Sequence, residues 1–179
     1  ATQDEISWTV TFNILATAVM TPMTGWLVSR FGTKRVAVWS IACFTVATLL
    51  CGMAQSLEML VLWRILQGGA GAPVVPLSQS ILFDTFPRRQ HAMVMSIFGM
   101  AVAVAPAFGP VIGGFFAGQS TILGIDGWRW VFLVNVPIGI AALAVVSRTL
   151  HLSHTRLDHR IDWAGAALLS VARVPLLPA

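Results

Sequence analysis

Apolar and polar residues do not alternate along this chain but segregate into long apolar runs joined by short polar or basic connections. A hydrocarbon layer about 30 Å thick is crossed by about 20 helical residues. Runs of that length extend from Ile6 to Val28, Val36 to Ala54, Leu57 to Phe83, Ala92 to Gly118 and Trp130 to Leu150. A sixth begins at Trp163 but meets Arg173 and Pro175 after about half a membrane thickness. Connections this short place successive helices antiparallel, and no low-complexity linker divides residues 1–179. The pattern predicts an all-α fold, a polytopic membrane helix bundle of five to six spans.

Composition removes most alternatives. Of 179 residues, 56% are hydrophobic and 10% charged, against about 45–50% and about 25% in soluble domains. A water-facing surface built from this chain would expose large apolar patches. The bland alternative is a set of apolar helices from a large soluble bundle. The net charge of +4 would suggest a nucleic-acid partner only if the cations formed one stripe. Instead they sort by loop. Arg30, Lys34, Arg35, Arg88, Arg89, Arg148, Arg156 and Arg160 fall on one side, and Arg129 alone on the other, with Asp4, Glu5, Glu58 and Asp126. By the positive-inside rule, loops 29–35, 84–91 and 151–162 are cytoplasmic. The charge thus reports topology in a lipid bilayer, and nucleic acid is not an expected partner. Trp8, Trp26, Trp39, Trp63, Trp128, Trp130 and Trp163 all fall near proposed span ends, where amphipathic rings settle.

Chemistry inside the spans is sparse. Arg64 lies several residues into the third span, and an intramembrane cation is costly enough to imply a partner or a function. Its alternative is to snorkel toward the surface near Glu58. Gln67 follows one helical turn later and can share a polar cavity with it. No Asp or Glu lies well inside any span, although proton-coupled transport usually needs one. Asn13 and Asn135 either line a path or tie helices together.

Small residues mark close packing. Gly99, Ala103, Ala107, Gly109, Gly113 and Gly114 fill the fourth span, where Pro106 and Pro110 predict a kink. Gly68, Gly71, Ala72, Pro73 and Pro76 do the same in the third. Plain tight packing without a moving part accounts equally well for either span alone. Around Arg30, Lys34 and Arg35, Gly32 permits a tight turn, and the cations alone would serve as a topology anchor. His151, His154 and His159 with Asp158 resemble scattered metal ligands but read better as a solvated linker, so neither metal nor cofactor is expected. Cys43 and Cys51 lie about 12 Å apart on one helix, too far for a disulfide. The chain opens without Met or a signal-peptide pattern, and a piece of a longer protein is the expectation.

Four stretches together resemble the major facilitator superfamily, in its fourteen-helix drug:proton antiporter branch of the EmrB/QacA type. Gly25-Trp-Leu-Val-Ser-Arg30-Phe-Gly32-Thr-Lys34-Arg35 resembles the family's cytoplasmic loop signature, with Ser29 where many members carry an acid. The stretch from Leu60 through Arg64, Gln67 and Gly68 to Ala72 resembles its fourth-helix signature. Pro106-Ala-Phe-Gly109-Pro110-Val-Ile-Gly113-Gly114 resembles the antiporter signature of the fifth helix, with Ala101 and Ala105 at positions often held by glycine. The stretch from Gly127 through Trp130, Asn135 and Pro137 to Gly139 resembles the sixth.

The resemblance implies an incomplete N-terminal half-bundle, family helices two to six plus the start of the seventh at Arg160. It implies alternating access and proton-driven multidrug efflux in a bacterial inner membrane, with a link to antibiotic resistance. The protonated acid would lie on the family's first helix. Arg64 and Gln67 would form the coupling network, and Pro106, Gly109, Pro110, Gly113 and Gly114 the hinge and seam. Gly25, Arg30, Gly32, Lys34 and Arg35 would steady the cytoplasmic gate. Amphipathic substrates and protons would be the cargo, with a periplasmic adaptor and outer-membrane channel as partners. Two alternatives stay open: a dedicated exporter of a siderophore, antibiotic or other metabolite, and a non-transporting scaffold or regulatory subunit. An enzyme is not expected, because the spans hold no paired carboxylates, His cluster or nucleophile with a base.

Overall fold

The computed structural model describes residues 3–149. The proposed sixth span and the histidine-bearing segment after residue 150 lie outside them. Seven helices account for nearly all of the described chain: α1 (Gln3–Phe31), α2 (Thr33–Met53), α3 (Leu57–Gly71), α4 (Val74–Thr85), α5 (His91–Ala117), α6 (Gly127–Leu133) and α7 (Asn135–Thr149).

Each boundary has a local cause. Gly32 alone separates α1 from α2, at φ 86°, a left-handed conformation that favours glycine. Its N–H donates to Val28 O at 2.8 Å and its carbonyl accepts from Val36 N at 3.1 Å, so one residue ends one helix and begins the next. Ser56 caps α3, its Oγ accepting from Met59 N at 3.2 Å. The third apolar run divides at Ala72 and Pro73, where proline withholds the N–H that the helix ladder needs. The fifth divides at Val134, three residues before Pro137, for the same reason. By contrast, α5 continues through Pro106 and Pro110 from His91 to Ala117.

The all-α expectation holds for the bundle, with one addition. Between α5 and α6, Thr121–Ile122 and Ile125–Asp126 pair antiparallel as β1 and β2. Leu123 and Gly124 both take positive φ at the turn, as a two-residue hairpin requires.

Four segments are long and apolar enough to cross a membrane: Thr33–Met53, Leu57–Thr85, Arg88–Ala117 and Gly127–Thr149. The first predicted span, within α1, is long enough but is not among them. Its threonines lower its average hydropathy, yet they turn back on their own helix. Thr11, Thr17 and Thr21 hydroxyls donate to the carbonyls of Ser7, Asn13 and Thr17 at 2.7–2.9 Å. This self-satisfaction makes polar residues tolerable in lipid.

α2 is the central helix, packed against α3 on one side and α6 and α7 on the other. α1 lies along α3, and α5 rests on α6 with none of its residues buried. Near the Gly32 turn, buried Val36, Ala37 and Leu77 form a small core joined by Leu27, Val28 and Val146. Outward, Trp8, Trp39, Met100, Phe108, Val111 and Phe115 are exposed over half or more of their surface. The apolar exterior and small interior are the inverse of a water-soluble protein, and match a bundle solvated by lipid.

Candidate functional site: a buried arginine centre

Seven residues into α3, Arg64 stands about 10 Å from the start of that helix. Its guanidinium turns away from Glu58 and into the bundle. Arg64 Nη1 donates to Gln67 Oε1 at 3.2 Å. Gln67 Nε2 donates to Thr48 Oγ1 at 2.8 Å, and that hydroxyl donates to Phe44 O at 2.7 Å. Gln67 is 6% exposed and Thr48 1%. The relay therefore binds α3 to α2 through a sealed interior. Across the remaining face, Phe132 of α6 lies beneath the guanidinium, 4.7 Å from Arg64 Cζ to the ring centroid.

A second seam brings α1 to the same place. Asn13 Nδ2 donates to Arg64 O at 2.8 Å, and the single Thr17 hydroxyl proton is shared between Asn13 O at 2.9 Å and Gly68 O at 3.1 Å. These bonds need backbones in near contact, and a Cβ on Gly68 would collide with Asn13 O. The i, i+4 pairs Asn13/Thr17 and Arg64/Gly68 are thus matched across the α1–α3 seam.

Electrostatically, the centre is unfinished. Arg64 Nε and Trp63 Nε1 are buried atoms without a hydrogen-bond partner among the described residues. Among the described residues, no carboxylate pairs with Arg64; the ion pair present is Arg129–Asp126 at 3.3 Å, near the outer end of α6. A half-buried guanidinium held by one amide oxygen and one ring face retains a preference for an anionic or acceptor group.

The other predicted residues are placed elsewhere. Asn135 is exposed and bonds Val131 O across the α6–α7 break at 2.9 Å, tying the two helices together rather than reaching Arg64. Gly109, Gly113 and Gly114, with Pro106 and Pro110, lie along an α5 face where an added Cβ would meet nothing within 4 Å at any of the three glycines. The close approaches occur instead at Gly68, Gly71, Gly52 and Gly139, and at Gly127, where an added Cβ would meet the carbonyls of Phe116 and Gln119 at the end of α5. Gly25 is exposed on α1. Arg30 ends α1, where a cation suits the helix dipole. Lys34 and Arg35 fall in the first turn of α2, where it does not.

Sequence reasoning missed Thr48, Thr17, Phe132 and Arg129. Arg129 Nη1 donates to Gly52 O at 2.9 Å, closing the exposed end of α2. Only Thr48 carried a usable signal, a hydroxyl between small residues in an apolar run.

A lipid-solvated helical bundle around a buried arginine centre defines an integral membrane protein of the transporter class. The Major Facilitator Superfamily profile matches residues 1–178, and the chain belongs to that family. Its relatives include the multidrug export protein EmrB of Escherichia coli K12, 37% identical over 92% of this chain and 31% of that protein. The multidrug resistance protein B homolog of Mycobacterium tuberculosis is 34% identical over 95% of this chain and 30% of its own length. The chain therefore spans about a third of these relatives. In fold it is similar to the partially occluded, inward-open Escherichia coli xylose transporter XylE, with a TM-score of 0.69 at 14% identity, over 84% of this chain and 41% of that one. The family is one of transporters, not enzymes.

Proposed function

We propose that this chain is the N-terminal part of a proton-driven exporter of amphipathic compounds in a bacterial inner membrane, working by alternating access. The observation that carries the reading is Arg64, half-buried at the α1–α2–α3–α6 junction with its buried Nε unpartnered among the described residues. A cation so placed lowers the pKa of a nearby carboxyl. A motion that varies their separation converts proton loading into a conformational preference. By the family resemblance, the acid would lie on the family's first helix. Similarity to multidrug export and multidrug resistance proteins supports bulky amphipathic substrates.

In this reading α1 also spans the membrane, and the basic turn of Arg30, Gly32, Lys34 and Arg35, with Gly25 before it, faces the cytoplasm and steadies the closed gate. The open glycine face of α5, from Pro106 to Gly114, is the seam toward the second half-bundle. A periplasmic adaptor and an outer-membrane channel would complete the route. Because the chain covers about a third of its relatives, residues 1–179 alone do not transport.

The test is reconstitution of the complete protein in proteoliposomes with a fluorescent amphipathic cation. An imposed proton gradient should drive uptake or release that collapses with a protonophore, while residues 1–179 give none. Gradient-independent movement would favour another energy source, and transport by 1–179 would refute the dependence on a second half.

A further inference from the structure

We infer that Phe132 is a positioning residue for Arg64, its ring face acting as the counter-group that holds the guanidinium in place. The inference rests on the coupling role proposed for Arg64. Phe132 is 8% exposed and lies on α6, a helix of only seven residues. It is gripped on several sides. A Cβ at Gly52 of α2 would lie 3.5 Å from Phe132 Cβ and 3.0 Å from Leu133 Cδ2, so α6 is seated directly on the α2 backbone. Trp128 packs edge-on against the Phe132 ring at 6.4 Å. Arg129 fixes the same turn by donating to Gly52 O at 2.9 Å. The ring is therefore a firm platform.

Arg64 needs such a platform. Gln67 is its one side-chain hydrogen-bond partner among the described residues, and its Nε has none. A half-buried guanidinium over an aromatic face at 4.7 Å gains from the ring quadrupole. An aliphatic side chain of similar bulk would fill the space but supply no negative face. Because α6 is anchored to the outer end of α2, any shift of α2 relative to α3 slides the ring from beneath the cation. Phe132 thus links the position of the α2–α6 wall to how tightly Arg64 is held.

The experiment separates ring electronics from packing. In the complete protein, Phe132 is replaced by mono-, di- and trifluorophenylalanine, which progressively weaken the ring quadrupole at nearly constant shape. Gradient-driven efflux is measured in proteoliposomes at matched protein density. The expected result is a graded fall totalling about tenfold, on the order of 1.4 kcal/mol, with Phe132→Tyr retaining most activity and Phe132→Leu losing it. A flat fluorination series overturns the inference, even if Phe132→Leu fails to fold. Arg64→Ala is run in parallel. If it abolishes coupled efflux while the series is flat, this inference alone falls. If it leaves coupled efflux intact, the underlying functional reading falls.

Discussion

The backbone of Gly68 on α3 lies so close to the Asn13 carbonyl on α1 that no side-chain carbon fits between them. The approach lets Thr17 reach Gly68 O at 3.1 Å and Asn13 reach Arg64 O at 2.8 Å. Gly68→Ala must push the helices apart, and overpacking of this kind costs about 1–3 kcal/mol. Both interhelical bonds stretch with it. Gly68→Ala should therefore lower the thermal stability of the detergent-solubilised complete protein. Gly99→Ala on α5, where an added Cβ meets nothing within 4 Å and which lies before the Pro106–Gly114 face, should leave α1–α3 packing untouched. Equal loss in both variants would contradict this account of the seam.

Thr48→Val tests the relay behind Arg64. The variant keeps the shape but removes the acceptor for Gln67 Nε2, whose 2.8 Å bond lies in a sealed interior. An interhelical bond between membrane helices is worth about 0.6 kcal/mol on average and rarely above about 1.7, so a modest stability loss is expected. The larger effect should be functional, because Gln67 is freed to rotate away from Arg64. Coupled efflux should fall more than thermal stability, measured on the same preparation. Thr48→Ser should restore both.

Gly139 on α7 and Thr45 on α2 form a second tight crossing, with Thr45 Oγ1 where a Gly139 Cβ would project. Gly139→Ala should destabilise, and Thr45→Ala added to it should recover part of the loss. Coupling between residues in contact is usually 0.5–3 kcal/mol in such cycles. Strict additivity in the double-mutant cycle would show that the helices do not meet there.

At the outer end, two effects compete at Arg129. Its ion pair with Asp126 joins a carboxylate side chain 55% exposed, and pairs in such surroundings contribute about 0–1 kcal/mol. Its bond to Gly52 O and its stacking 4.8 Å over Trp128 are more sheltered. Asp126→Asn should therefore be nearly silent, and Arg129→Ala should loosen the α2–α6 contact measurably. Amide exchange at the last turn of α2 distinguishes the two.

Legibility in the sequence followed the strength of the physical constraint. Long apolar runs named the helices because lipid demands length, and Thr33–Met53, Leu57–Thr85, Arg88–Ala117 and Gly127–Thr149 are helices long and apolar enough to cross it. Arg64 and Gln67 were visible because charge in lipid is conspicuous and one helical turn joins them. Their partners were not. Thr48 and Phe132 reach the site from other helices, and no local pattern records that α2 and α6 converge on α3. Periodicity failed as a guide in α5, whose apolar residues surround the helix, so its glycine face gave no hint that it would stand open. The hairpin at Leu123 lies in the connection between Gly118 and Trp130, and two residues per strand are too few for an alternating pattern to show.

The central claim is that the Arg64 cation couples protons to transport. It is tested most directly by measuring gradient-driven efflux against gradient-independent substrate exchange for Arg64→Ala in the complete protein, reconstituted at matched density. The account predicts that gradient-driven efflux falls on the order of 10- to 100-fold, in line with couplings of about 1–3 kcal/mol, while exchange persists. Undiminished gradient-driven efflux in Arg64→Ala would contradict it.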